Sequence, residues 1–228
     1  MTSKIIIAPG AFKDSLSANA VASAIQHGLR RAGITSDLLL LPIADGGNGT
    51  LDAFLAGGGQ RHSRSVQGPR GQQNKAEFGL LADGRTAVIE MALASGLELL
   101  AADARDPLLT STAGTGELLA AALDMGAERI IVGMGGSATV DGGTGCLQAL
   151  GVRFYDASGQ RITPRSDQLT QIAHIDASGL DPRWAEVEVV IACDVDNPTL
   201  GLNGAAAVFG PQKGASADDV SLLEANLS

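Results

Sequence analysis

Two short acidic, glycine-rich phrases, A-D-G-G-N-G-T at residues 44–50 and T-V-D-G-G-T-G at 139–145, constrain most strongly what this chain can fold into. Each follows a compact apolar run: Leu38, Leu39, Leu40 and Leu41 before the first, Ile130, Ile131 and Val132 before the second. A strand that ends in Asp-Gly-Gly brings one carboxylate and several amides without side chains to the tip of a sheet. Glycine lets the backbone turn sharply there and approach a ligand closely. Free N–H groups in such turns, and at the start of a following helix, form a concavity suited to anions. A carboxylate beside a phosphate cradle calls for a cation or a transferable proton between them, the combination that metal-assisted phosphoryl transfer uses.

Composition narrows the classes. With 228 residues, 45% of them apolar, the chain is long enough for a buried core in one large domain or two small ones. A formal charge of −9 and a pI near 4.7 argue against nucleic acid and anionic membrane surfaces as partners. Cys146 and Cys193 match no metal or redox spacing and read as free thiols of a reducing compartment, so the expected location is cytoplasmic. The N-terminus reads as a strand broken by Pro9 and Gly10 rather than a signal peptide, and no apolar run approaches the ~20 residues of a membrane helix.

Along the chain, residues 4–8 read as a strand and Ser17 as the N-cap of a helix to about residue 31, closed by Gly33. A second strand over 37–42 and a helix over 50–55 continue a parallel α/β layer. From about Arg61 the pattern changes to three runs (64–67, 75–81, 86–91) separated by Gly-Pro-Arg-Gly and Ala-Asp-Gly-Arg, which predicts an antiparallel meander. The domain boundary is placed there: 1–62 as part of a Rossmann-like layer, 63–228 as a mixed α/β domain whose last helix returns towards the first. A helix is expected over 116–125 with Thr115 as N-cap, then strands over 129–133, 152–156 and 186–193 and a helix over 144–150. Residues 157–183 carry little signal beyond turns. Ser216 with Asp219 reads as the capping box of a last helix.

Gly133-Met134-Gly135-Gly136-Ser137-Ala138 matches a dinucleotide fingerprint, with Asp156 near the place of a ribose-binding acid. The loop does not open directly into a helix, however, and the next helix is short, so that reading is set aside. Ser137 has no histidine partner and no nucleophile-elbow context, which argues against a serine hydrolase. His27, His62 and His174 read as incidental. Asp45, Asp141 and Asp194 each follow a strand, the position where α/β enzymes place ligands, and are expected to converge on one cleft. Lys13 and Lys213 are the candidate cations facing it.

With these residues in view, the chain resembles the bacterial type I glycerate kinases. The resemblance rests on K-I-I-I-A-P-x-x-F-K-x-S-L-S-A, P-I-A-D-G-G-x-G-T, V-I-E-M-A-x-A-S-G-L, T-G-E-L-L, G-G-S-A-T-V-D-G-G, A-C-D-V-D-N-P and G-A-A-A-V-F-G-P-Q-K-G, in that order. It implies ATP-dependent phosphorylation of D-glycerate to 2-phosphoglycerate with Mg²⁺, a Rossmann-like parallel layer plus a mixed α/β domain, and an active site between the two. Small-molecule substrates are then the partners, and a homodimer is allowed. Catalytic weight falls on Lys13, Asp45 and Asp194, and metal binding on Asp141 and Asp196. Substrate and phosphate binding falls on Ser15, Gly46, Gly47, Asn48, Thr115, Gly135, Gly136, Ser137, Asn197 and Lys213. Backbone amides of 133–143 and 112–116 are expected to hold anions. Gly10-Ala11 stands where members often read Asp-Ser, and Asn48 where they read Glu, so two carboxylates are replaced near the site. The family continues beyond the position of Ser228, which leaves the parallel layer incomplete; a non-catalytic fragment is the alternative reading.

Overall fold

The computed structural model describes residues 3–12 and 15–228. It opens with β1 (Lys4–Ile7), α1 (Ala18–Arg31) and β2 (Asp37–Leu40), and the two strands pair in parallel with Ile7 opposite Leu40. Parallel neighbours need a long crossover, which α1 supplies. Ser17 holds extended backbone and its hydroxyl accepts from the Ala20 amide, the expected cap. Gly33 ends the helix with a φ of +81°, after Arg30 and Arg31 in the last turn. Ile7, Ala22 and Leu38 close a small core between helix and strand pair. On the opposite face Ile6, Leu39 and Leu41 are exposed.

The main sheet begins after α2 (Thr50–Leu55), with β3 (Gly59–Gln67), β4 (Gln73–Leu81) and β5 (Thr86–Glu90) as the antiparallel meander that the turn phrases predict. Asp83 fixes the second turn by accepting from the amides of Arg85 and Thr86 and from the Thr86 hydroxyl. After α3 (Ala92–Ser95) and α4 (Ala113–Asp124), β6 (Arg129–Gly133) joins β5 in parallel. The chain then forms α5 (Thr144–Ala149) and a small antiparallel sheet of β7 (Arg153–Tyr155), β8 (Arg161–Ile162) and β9 (His174–Asp176), ordered β8-β7-β9. The last strand, β10 (Glu188–Ala192), returns to pair in parallel with β6, which gives the order β10-β6-β5-β4-β3. α6 (Ala205–Phe209) and α7 (Ala217–Leu227) follow, and α7 carries the Ser216–Asp219 capping box.

Apolar residues of β3–β6 and α4 make the main core, including Val66, Ala76, Phe78, Ile89, Leu118, Ala122 and Ile130. α2 packs against the same meander: a Cβ at Gly79 would sit 2.9 Å from the Leu51 side chain and 3.0 Å from that of Leu55, so β4 needs a glycine there. Two expectations change. The α4 N-cap is Thr112, not Thr115, which lies buried inside the first turn. The 157–183 segment holds β8 and β9, strands of two and three residues that are too short for a periodic signal.

Phe78 is fully buried at the centre of this core. Phe78→Ala is expected to cost about 3–5 kcal/mol in urea unfolding. Ser216→Ala, which removes a cap on an exposed turn, is expected to cost about 1 kcal/mol. Equal losses would contradict this placement of the core.

Candidate functional site

The three parallel strands of the main sheet end level with one another. Glu90 of β5 stands opposite Gly133 of β6, and Gly133 opposite Ala192 of β10. The loops that leave them therefore emerge side by side at the carboxyl end, the usual ligand edge of an α/β sheet. Into this edge comes the first Asp-Gly-Gly loop, between β2 and α2. The Gly135 amide donates to the Gly46 carbonyl at 2.9 Å, and the Met134 amide to the Ala192 carbonyl at 3.1 Å. A Cβ on Gly135 would stand 2.6 Å from the Gly47 Cα, and one on Gly133 2.6 Å from the Gly46 carbonyl oxygen. A Cβ on Gly46 would strike the Ala192 carbonyl, and one on Gly136 the Asn48 side chain. Three backbone segments (46–48, 133–136 and 192–193) are thus in direct contact. Asp45 and Asp194, the flanking residues, are both exposed at this junction, and the Asp45 carboxylate accepts from the Gly47 amide at 3.0 Å.

Asp141 has a different environment. It is 3% exposed and accepts from the Thr112 amide (2.8 Å), the Thr112 hydroxyl (2.9 Å), the Gly143 amide (3.1 Å) and the Gly145 amide (3.3 Å). Both oxygens are engaged by the protein, so Asp141 ties the start of α4 to the start of α5. The same bonds place a protein carboxylate on the 112–116 segment, where an anionic ligand was expected. Thr115 is buried, with its hydroxyl 2.9 Å from that of Ser95.

Lys213 and Ser137 come together as the sequence could not foretell. Lys213, in the turn Pro211–Lys213, is 8% exposed; its ammonium donates to the Ser137 hydroxyl oxygen at 2.8 Å and to the Thr139 carbonyl at 2.7 Å. Burial pulls its pKa down to about 8, a shift opposed by the nearby charge of Asp141. With its oxygen accepting from Lys213, the half-buried Ser137 can turn its own O–H towards an anionic oxygen.

Of the other expected residues, Lys13 lies outside the described residues. Ser15 is exposed in the turn before α1, where its amide donates to the Phe12 carbonyl. Asn197 donates from its amide group to the Asn203 carbonyl at 2.9 Å and shapes the loop after β10, and Asp196 is exposed beside it. Among the described residues no three His, Cys, Asp or Glu side chains cluster closely enough to hold a metal on their own. No described helix is long and apolar enough to cross a membrane. Cys146 is half-buried, and burial pushes its thiol up to about 12, which makes it inert at neutral pH.

The Lys213 ammonium has a pKa below its ordinary value of 10.5 in the folded chain. Between about 8 and 10.5 the unfolded chain therefore holds a proton that the folded chain has released, so stability rises with pH across that window. Unfolding free energies of the wild-type chain from urea titrations, taken against Lys213→Met, are expected to climb by an amount on the order of 3 kcal/mol over this range. A flat difference would show that Lys213 titrates as an ordinary surface lysine.

Comparison with known proteins follows the same lines. The profile of the glycerate kinase family matches residues 5–228. Over 226 residues the chain is 55% identical to a glycerate kinase of Bacillus subtilis, covering 99% of this chain and 59% of that protein. Over 227 residues it is 50% identical to the glycerate 2-kinase of Escherichia coli, covering 99% of this chain and 59% of that one. The crystal structure of a provisionally named glycerate kinase 2 from Salmonella typhimurium LT2 superposes with a TM-score of 0.84 at 50% identity, over 100% of this chain and 61% of that one. The chain thus spans about three fifths of the length of these relatives. With its family profile matched almost from end to end, the chain belongs to the glycerate kinase family.

Proposed function

We propose that the junction of the three glycine-bearing loops is the phosphoryl-transfer site of an ATP-dependent kinase that converts D-glycerate to 2-phosphoglycerate. The observation that supports this reading is the contact of 46–48 with 133–136 and 192–193, segments next to the exposed Asp45 and Asp194 and to Ser137, which accepts from Lys213. In the reaction the C2 hydroxyl oxygen of glycerate bonds to the γ-phosphorus, the bond to the β–γ bridging oxygen breaks, and ADP leaves. The hydroxyl proton passes to Asp45, whose exposed carboxylate has one bond among the described residues. Ser137, polarised by Lys213, donates to an anionic oxygen of donor or acceptor, and Lys13 supplies further positive charge. Catalysis of this kind rests on positioning and electrostatics.

Magnesium, when bound, would neutralise phosphate charge. It is usually held by one or two carboxylates together with phosphates and water rather than by a protein cage. Asp194 and Asp196, exposed after β10, fit that pattern better than the buried Asp141, which already accepts four hydrogen bonds from the protein. Asn48 packs against Gly136 and lines the acceptor side. We divide the chain into a parallel layer and a mixed α/β unit, with the boundary expected at 62/63 moved ahead of β3, since β3 (Gly59–Gln67) pairs with β4 along its whole length, and with the site where the two meet.

The test is ATP- and glycerate-dependent turnover by the full-length protein, coupled directly to enolase, which consumes the 2-phospho isomer. Asp45→Asn is expected to lower kcat by roughly 10²–10⁴-fold with little change in the KM for ATP. No turnover across a range of Mg²⁺ concentrations, or a normal rate in Asp45→Asn, would contradict the reading.

A further inference from the structure

The two Asp-Gly-Gly phrases are not equivalent where they look alike. The helix that follows each begins at a buried threonine after a glycine in left-handed backbone: Thr50 after Gly49 (φ +92°) and Thr144 after Gly143 (φ +77°). Thr50 donates from its amide (3.2 Å) and hydroxyl (2.7 Å) to the Gly47 carbonyl, and Thr144 likewise (3.1 and 2.9 Å) to the Asp141 carbonyl. Gly47-Asn48-Gly49-Thr50 therefore matches Asp141-Gly142-Gly143-Thr144, and Asp141 occupies the place of Gly47, not of Asp45.

In the second turn the Asp141 carboxylate takes the amides of Gly143 and Gly145. In the first, the equivalent amides of Gly49 and Leu51 go to a carboxylate from elsewhere. Glu90, at the end of β5 and 3% exposed, accepts from Gly49 at 3.1 Å and from Leu51 at 3.0 Å. Replacing a local aspartate by a distant glutamate ties the loop to the strand whose end lies beside Gly133.

We propose that Glu90 is the positioning residue of the Asp45 loop: its buried carboxylate, acting through the amides of Gly49 and Leu51, holds 46–49 in register against 133–136. Glu90 touches no reacting atom. It acts through the place it gives Asp45, and its catalytic consequence rests on the kinase reading above.

The proposal is tested in Glu90→Gln, whose amide keeps one acceptor oxygen but turns an NH₂ towards the loop amides. Two readouts are needed. Amide hydrogen exchange is expected to accelerate at Gly49 and Leu51 and also at Gly135, whose bond to Gly46 lies across the junction. A glutamate that only caps α2 would leave Gly135 unchanged, and that result overturns the proposal whatever the reaction is. In turnover, kcat for glycerate is expected to fall by about 100-fold while the KM for ATP stays within about twofold, the cost of a misplaced reacting group. A loosened junction with an unchanged kcat would also overturn the catalytic part. Absence of turnover in the wild type would instead count against the kinase reading and leave the exchange result to decide the positioning. If Glu90→Gln does not fold, Glu90→Asp, which keeps the charge but is one methylene shorter, is expected to show intermediate exchange at Gly135. Wild-type exchange there would refute the proposal.

Discussion

The architecture of the site depends on one close approach, the seating of the Gly46–Gly47 backbone on Gly133, Gly135 and the Ala192 carbonyl. A side chain on Gly46, Gly133 or Gly135 would push the segments apart, since its Cβ would fall 2.4–2.6 Å from backbone atoms of the facing segment. The parallel strands β5, β6 and β10 make the approach productive because their ends lie level, at Glu90, Gly133 and Ala192. A loop arriving from β2 meets all three exits at once. The edge is therefore assembled from main chain, and its carboxylates are carried in by the residues next to the contact.

Four acidic residues divide the work. Asp141 and Glu90 are buried, and each is satisfied by amides at the start of a short helix. A buried carboxylate without such donors would cost several kcal/mol, so these bonds are required for folding. Burial raises the Glu90 carboxyl pKa, and the amides of Leu51 and Gly49 oppose that shift. Asp45 and Asp194 are exposed. Lys213 is a cation held out of water and bonded to the Ser137 hydroxyl and the Thr139 carbonyl.

Much of this was legible in the residues. Ser17, the meander turns and the Ser216–Asp219 box act locally, and local chemistry shows in sequence. The strand end at Gly133 and the helix at Thr50–Leu55 follow from glycine punctuation. The letters Asp-Gly-Gly recur two positions out of structural step, so Asp141 reads in sequence as a second copy of Asp45 while its place in the turn is that of Gly47. Glu90 was passed over because the amides it satisfies lie about forty residues away, at a distance where no pattern signals a bond. Thr115 seemed a cap because the true one, Thr112, uses its hydroxyl on Asp141 and leaves no capping bond of its own.

The central claim, that catalysis depends on the backbone contact between the two glycine loops, is tested most directly by the rate of glycerate phosphorylation in Gly135→Ala of the full-length protein. The added methyl would stand 2.6 Å from the Gly47 Cα at a position outside the main core, so the sheet should fold while the loops separate. The account predicts a protein with native circular dichroism and little or no turnover. A Gly135→Ala protein with the wild-type rate would show that the reaction does not need this contact.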